Sequence, residues 1–221
     1  LSHDAATGRV DLVLSQIIPP TPGQPEKRPM AIPIRVALFD RESRANHGDE
    51  TLMLTRSEQR FTFQNVATAP VLSINRGFSA PVIVNTNRSQ ADLAFLSAHD
   101  DDPFARYEAM QQLMVNVLVG QIGGQPVDET TVVDAVRQTL IDPALDSAFV
   151  AEAVRLPSEA YLGDQMPIVD PDAIHNARNA LQHRIGAELQ PLWRDMHARL
   201  RANSFSLSPA AKGARKLRNA A

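Results

Sequence analysis

The residues with the most chemical potential stand together: His99-Asp100-Asp101-Asp102, followed by Arg106 and Glu108. Three adjacent carboxylates beside an imidazole offer oxygen donors for Ca²⁺ or Mg²⁺, and closely spaced like charges push pKa values apart, as acid/base work requires. A plainer account fits the same residues. Asp-rich sequence ahead of a helix sets negative charge at the positive end of its dipole, and Asp102 before Pro103 is an N-cap followed by proline at the first helical position. The other carboxylates then suit salt bridging between domains. The Ca²⁺-loop spacing D-x-[DN]-x-[DN]-G is absent, so capping and salt bridging explain the cluster better than metal or catalysis. Asp170 before Pro171 and Ser208 before Pro209 repeat the capping signature.

Elsewhere the catalytic inventory is thin. His3, His47, His99, His175, His183 and His197 form no i, i+4 pair, so the HExxH zinc helix is missing. Also missing are the nucleophile elbow G-x-S-x-G, the phosphate loop and the dinucleotide fingerprint. The absence of Cys excludes disulfides, thiolate metal sites and a cysteine nucleophile, and fits a cytoplasmic location. His175 and His183, two turns apart on one helix face, read as surface or interface residues, and Trp193, the only tryptophan, as core or interdomain packing. The last 28 residues, from Arg194, carry seven Lys/Arg and one Asp, a local +6 that leaves −9 for the rest of the chain. Nucleic acid is a poor partner for this patch, because only Phe205 interleaves the charges and cations are expected at helix ends. An acidic neighbour is the better match.

These residues must be held by ordered elements, and the composition supplies them. Of 221 residues 43% are hydrophobic and 21% charged, with a net charge of −3, which permits a core and argues against disorder. The longest apolar runs fall short of the eighteen residues a membrane-spanning helix needs, so no membrane partner is expected. The chain starts at Leu1 rather than Met, as expected of a processed or excised piece.

From about residue 9 to 86 the pattern is strand-like. Runs at 10–14, 32–39, 51–54, 60–63, 71–74 and 81–84 predict six or seven strands, separated by turn-formers such as 19–25 and Asn46-His47-Gly48-Asp49. Short strands about ten residues apart predict an antiparallel sandwich. Past Ser89 the period becomes helical. Ser89 with Asp92 marks a helix over 91–98, and Asp102-Pro103 starts another with Phe104, Tyr107, Gln111, Met114, Val117 and Leu118 on one face, ended by Gly123-Gly124. Asp128 caps a third through Leu140, and shorter segments are expected at 146–154 and 158–163. A long stretch from Asp170 carries Ile174, Ala177, Leu181, Ile185, Leu189, Leu192, Met196 and Leu200 at steps of three and four, with a kink at Pro191. Strands followed by helices predict a multidomain β-then-α fold.

Five blocks are more specific than the pattern. They are 16–33, containing Pro19-Pro20-Thr21-Pro22-Gly23-Gln24-Pro25, then Arg76-Gly77-Phe78-Ser79-Ala80-Pro81-Val82, 99–109, Leu156-Pro157-Ser158-Glu159-Ala160-Tyr161-Leu162, and Val169-Asp170-Pro171-Asp172-Ala173-Ile174. In this order, over about 9–218, the chain resembles the region after the catalytic domain in the bacterial aminopeptidase N family of M1 zinc metallopeptidases. Tyr107 stands where many members carry Trp.

The resemblance implies an immunoglobulin-like antiparallel β-sandwich over 1–88 and an all-α, superhelical-type C-terminal domain over 89–221, truncated at its C-terminal end. It implies no catalytic and no metal residue in this chain, because the family's HExxH pair, G-[AG]-M-E-N loop and catalytic Tyr lie upstream. It also implies a parent enzyme that uses zinc to remove N-terminal residues from peptides, with this part spacing and covering the catalytic domain and restricting substrate access. Its partners would be that catalytic domain and the parent's peptide substrates, with self-association of the isolated piece. Glu108, Gln111, Gln112, Arg178 and Arg184 are the polar helical residues to examine for cavity-lining or interdomain roles. A stand-alone binding or adaptor module is the alternative; a sugar-binding version is disfavoured because 9–86 contains no Tyr or Trp.

Overall fold

The computed structural model describes residues 1–202 and 204–221. Six strands come first: β1 (Ser2–Asp4), β2 (Arg9–Ser15), β3 (Ile32–Phe39), β4 (Asn46–Leu54), β5 (Glu58–Phe63) and β6 (Val71–Ile74). Eight α-helices follow: α1 (Gln90–His99), α2 (Pro103–Ile122), α3 (Thr130–Ile141), α4 (Ser147–Ala153), α5 (Glu159–Gly163), α6 (Pro171–Glu188), α7 (Gln190–Arg199) and α8 (Pro209–Ala220). The chain divides into two compact units, one of residues 1–87 with 99–105, the other of 88–98 with 106–221.

In the first unit the strands form two antiparallel three-stranded sheets, ordered β1-β2-β5 and β4-β3-β6. Alternation sets which faces meet. On β2, Val10 and Leu12 are buried while Asp11 and Val13 face away; on β4, Leu52 and Leu54 are buried and Met53 is exposed. These side chains join Ile34, Val36, Leu38, Leu72 and Ile74 in one apolar core.

Two expectations need correction here. Asn46-His47-Gly48-Asp49 is not a turn: Asn46 pairs with Phe39 and Asp49 with Ala37 across a β-bulge, Gly48 having φ 112°. The turn lies just before it, where Asp40 N donates to Ala45 O at 2.9 Å and Asp40 Oδ1 accepts from Glu42 and Ser43 N. The 81–84 run is not a strand either. Its β-branched residues serve a different end, as Val82 and Val84 pack against the core without joining a ladder.

In the second unit, helix starts follow their caps. Ser89 and Asp92 exchange hydrogen bonds, Asp92 Oδ2 accepting from Ser89 N at 2.9 Å and Ser89 Oγ from Asp92 N at 3.1 Å. Asp146 Oδ1 accepts from Ala148 and Phe149 N, and Ser158 Oγ from Tyr161 N. α2 ends at Gly123-Gly124, with Gly124 at φ 67°. The chain kinks at Leu189, where Pro191 separates α6 from α7.

The buried stripe of α2 differs from expectation. Ala109, Met110, Leu113, Met114, Val117 and Leu118 are buried, whereas Phe104, Tyr107 and Gln111 sit at its margin. Steps of three and four counted from Arg106, rather than from Phe104, trace the buried face. On α6 and α7 the expected stripe is buried at Ile174, Ala177, Leu181, Ile185, Leu189 and Met196, with Leu192 and Leu200 half-buried.

Candidate functional site

The acidic cluster is built around an arginine that sequence spacing does not reveal. Asn75 (φ 59°) and Gly77 (φ 61°) both take the left-handed conformation, and between them Arg76 turns inward and is only 3% exposed. Its Nη1 donates to Asp100 Oδ1 at 2.6 Å and to Ser73 Oγ at 3.2 Å, and its Nη2 donates to Asp101. Its Nε lies 3.1 Å from Asp49 Oδ1, too poorly aligned for a hydrogen bond. The Phe39 ring packs 5.7 Å from the guanidinium carbon.

The neighbouring carboxylates are occupied as well. Asp102 Oδ1 accepts from Gly77 N at 3.0 Å and from Ala105 N at 2.9 Å, so one carboxylate holds both the Arg76 turn and the first turn of α2. Asp101 also accepts from Asn46 Nδ2 at 3.2 Å, and Arg35 pairs with Asp49. All of these residues belong to the first compact unit, Arg76 in its 1–87 segment and Asp100, Asp101 and Asp102 in its 99–105 segment, so the salt bridging expected between the 1–88 and 89–221 parts of the chain is made inside one compact unit.

Electrostatics follow from this geometry. Burial pushes the Asp100 carboxyl above the ordinary aspartate value, and its hydrogen bonds with the Arg76 charge only partly offset that. Asp101 goes the other way: burial opposes ionisation, but hydrogen bonds from Arg76 and Asn46 and the guanidinium charge hold its pKa down. Asp100 Oδ2 is buried without a hydrogen-bond partner among the described residues. The cluster is thus a charge clamp around a cation. Among the described residues no group of three or more His, Asp or Glu is arranged to hold a metal ion, and the Arg76 guanidinium already occupies the centre of the acidic cluster.

The other singled-out residues disperse over the helical unit. Glu108 is exposed on α2, yet its carboxyl is pushed up by partial burial, with Arg88 opposing. Gln111 Nε2 donates to Arg155 O at 3.0 Å and Gln112 Nε2 to Asn116 Oδ1 at 2.7 Å. Arg178 Nε donates to Pro157 O at 2.9 Å, and Arg184 holds Glu188, Glu129 and Thr130 at 2.7–3.1 Å. Asp170 Oδ1 accepts from Ala173 N and Ser208 Oγ from Ala211 N. His175 and His183 are exposed, with Glu159 Oε1 2.8 Å from His175 Nδ1, and Trp193 is half-buried.

Sequence position grouped Arg106 with the acidic cluster, but its partners lie elsewhere. It is buried, donates through Nε to Ser97 O at 2.8 Å and pairs through Nη2 with Asp142 at 2.9 Å, joining the end of α1 to the end of α3. The signal was present: a single cation one turn after a cap, on the face that carries Ala109, Met110 and Leu113. In the basic tail Lys216 pairs with Glu152, Arg218 Nε donates to His197 O at 3.2 Å, and Arg215 lies over the Phe205 ring at 5.1 Å.

Comparison with known proteins matches both parts of the chain. A family described as a domain of unknown function (DUF3458) with an Ig-like fold matches residues 1–87, and one described as a domain of unknown function (DUF3458_C) with ARM repeats matches 90–221. The chain is 34% identical over 199 residues to aminopeptidase N of Escherichia coli (strain K12), covering 85% of this chain and 23% of that protein. It is 38% identical over 188 residues to aminopeptidase N of Caulobacter vibrioides, covering 84% and 22%. A crystal structure of Legionella pneumophila aminopeptidase A in complex with aspartic acid shares the fold with a TM-score of 0.86 at 23% identity, covering 99% of this chain and 26% of that one. The chain therefore spans about a quarter of the length of these relatives. The Ig-like sandwich and superhelical-type array expected from sequence are the two domains found, in the order of the C-terminal region of M1 aminopeptidases. The chain belongs to the DUF3458_C family of ARM-repeat domains, with the Ig-like DUF3458 domain ahead of it.

Proposed function

We propose that the chain is the non-catalytic C-terminal portion of a zinc-dependent aminopeptidase, its domains spanning 1–88 and 89–221. The observation that supports this reading is similarity to two aminopeptidases N that runs through 84–85% of the chain. In this reading the chemistry belongs to the rest of the polypeptide. The sandwich spaces the catalytic domain from the helices, and the helices cover it and restrict access to short peptides.

The residues fit a supporting role. Arg76 and Arg106 spend their charges on holding turns and helix ends. Glu108 and Gln112, both exposed on α2, are the better placed of the five singled-out residues for facing a cavity, since Gln112 bonds only to Asn116 on its own helix whereas Gln111, Arg178 and Arg184 are tied to other segments. Exposed Ile17 and Ile83 in the first unit, and Ile168 and Phe205 in the second, supply apolar surface for contact with the rest of the enzyme or with a second copy. In this reading the parent is a cytoplasmic enzyme; among the described residues no helix is long and apolar enough to cross a membrane.

The test uses the complete gene product. Its activity on an alanyl chromogenic substrate should far exceed its activity on alanine at the N-terminus of a folded protein, and deleting 89–221 should narrow that ratio. A deleted protein that still cleaves the small substrate with an unchanged ratio would overturn the access role.

A further inference from the structure

Away from the charge clamp, the helical unit carries an open groove of about 500 Å³ beside the start of α1, one face of α2 and the segment 125–127. Val115, Val119 and Val127 supply its apolar lining. Gly120 lets that wall form, because a Cβ there would come within 2.7 Å of Val127 Cγ1. The polar lining is mostly carboxamide: Gln90, Gln112, Asn116, Gln125 and Gln165, with Arg88 the cation among the described lining residues.

The amides are poised to bind. Gln112 Nε2 donates to Asn116 Oδ1 at 2.7 Å, which leaves Gln112 Oε1 as an acceptor and Asn116 Nδ2 as a donor one helical turn apart. Among the described residues, the side-chain amides of Gln90, Gln125 and Gln165 make no hydrogen bond to protein. A carboxamide carries donor and acceptor in one plane, as a peptide group does, so a row of them matches an extended main chain. Nucleic acid fits poorly, since its binding draws on aromatic platforms and several cations. The lining has no aromatic residue and one cation.

We propose that this groove binds an extended acidic peptide, its main-chain amides paired with the carboxamides of Gln112 and Asn116 and an Asp or Glu side chain set against Arg88. The proposal goes beyond the function proposed above: it concerns the helical unit itself and requires no catalytic domain. Arg88 already has a partner within the chain and Glu108 is an anion near it, so a peptide carboxylate must compete for the guanidinium.

The test titrates the isotope-labelled 221-residue chain with an acetylated, amidated octapeptide of Ala and Ser bearing one central Glu, following side-chain amide resonances. Saturable shifts of the Gln112 and Asn116 amides are expected. Replacing the peptide's Glu with Gln should weaken binding about fivefold, near 1 kcal/mol. Arg88→Gln should erase that difference, Glu108→Gln should tighten the acidic peptide, and Gln112→Leu with Asn116→Leu should weaken both peptides about tenfold. An unchanged spectrum elsewhere confirms that the variants fold. Absence of saturable shifts at millimolar peptide, equal affinity for both peptides, or saturation of the same resonances by maltotriose instead would each overturn the proposal.

Discussion

Replacing Arg76 with Met should be the most damaging single change in the sandwich unit. The guanidinium is 3% exposed and faces Asp100, whose side chain is 0% exposed, at 2.6 Å. Its other partners count for less: the Asp101 side chain is 61% exposed and that of Asp49 25% exposed, and solvent-exposed pairs contribute about 0–1 kcal/mol each. Removing one member of a buried pair leaves an uncompensated charge, at a cost of about 3–5 kcal/mol. Arg76→Met should therefore lose about that much. The double variant Arg76→Met with Asp100→Asn should recover about 2–3 kcal/mol of it, because the stranded charge is gone and Asn keeps an acceptor for Asp102 N.

The pH dependence has a defined sign. Asp100 titrates high because of burial, so its ionised form disfavours folding, and the single variant's deficit should grow as pH rises through that raised pKa and shrink on acidification. Hydrogen exchange of β3 and β6 amides is the assay, since it reports the sandwich separately from the helices. A loss below about 1 kcal/mol, or additive single and double variants, would refute the reasoning, because both contradict a buried coupled pair.

Four further outcomes follow from local geometry. Gly213→Val should destabilise the helical unit by about 1–3 kcal/mol in thermal melts, because even a Cβ there would stand 2.8 Å from Ala148 N and force α8 off α4. Asp146→Ala removes the acceptor of two backbone N–H groups at the start of α4 and should cost about 0.5–2 kcal/mol by urea unfolding. Glu108→Gln should stabilise the chain at neutral pH, with the gain fading as pH falls through the glutamate's raised pKa; a gain that persists at acid pH would contradict the burial argument. The isolated chain should self-associate through exposed apolar residues such as Ile83 and Phe205, and a monomer by light scattering at high concentration would count against that.

Some of this was legible in the residues and some was not, for physical reasons. Caps and breaks are local, so Asp146, Ser158, Gly124 and Pro191 could be read within a few positions of the elements they bound. The β-to-α order followed from periodicity, which survives without knowledge of contacts. What failed was non-local. Nothing near 81–84 says that Val82 and Val84 pack on the core without pairing, because pairing depends on which edge another strand already occupies. The acidic cluster was visible, but its partner Arg76 lies 24 residues from Asp100 and is turned inward by Asn75 and Gly77 in left-handed conformations. The amide groove escaped for the same reason: Gln90, Gln112, Gln125 and Gln165 meet only once the helices pack.

The most direct test of the central claim is hydrolysis of an alanyl chromogenic substrate by the purified 221-residue chain, measured beside the complete gene product with and without a chelator. The account predicts chelator-sensitive hydrolysis by the complete product and none above the blank by the chain alone. Chelator-sensitive hydrolysis by the chain itself would contradict it.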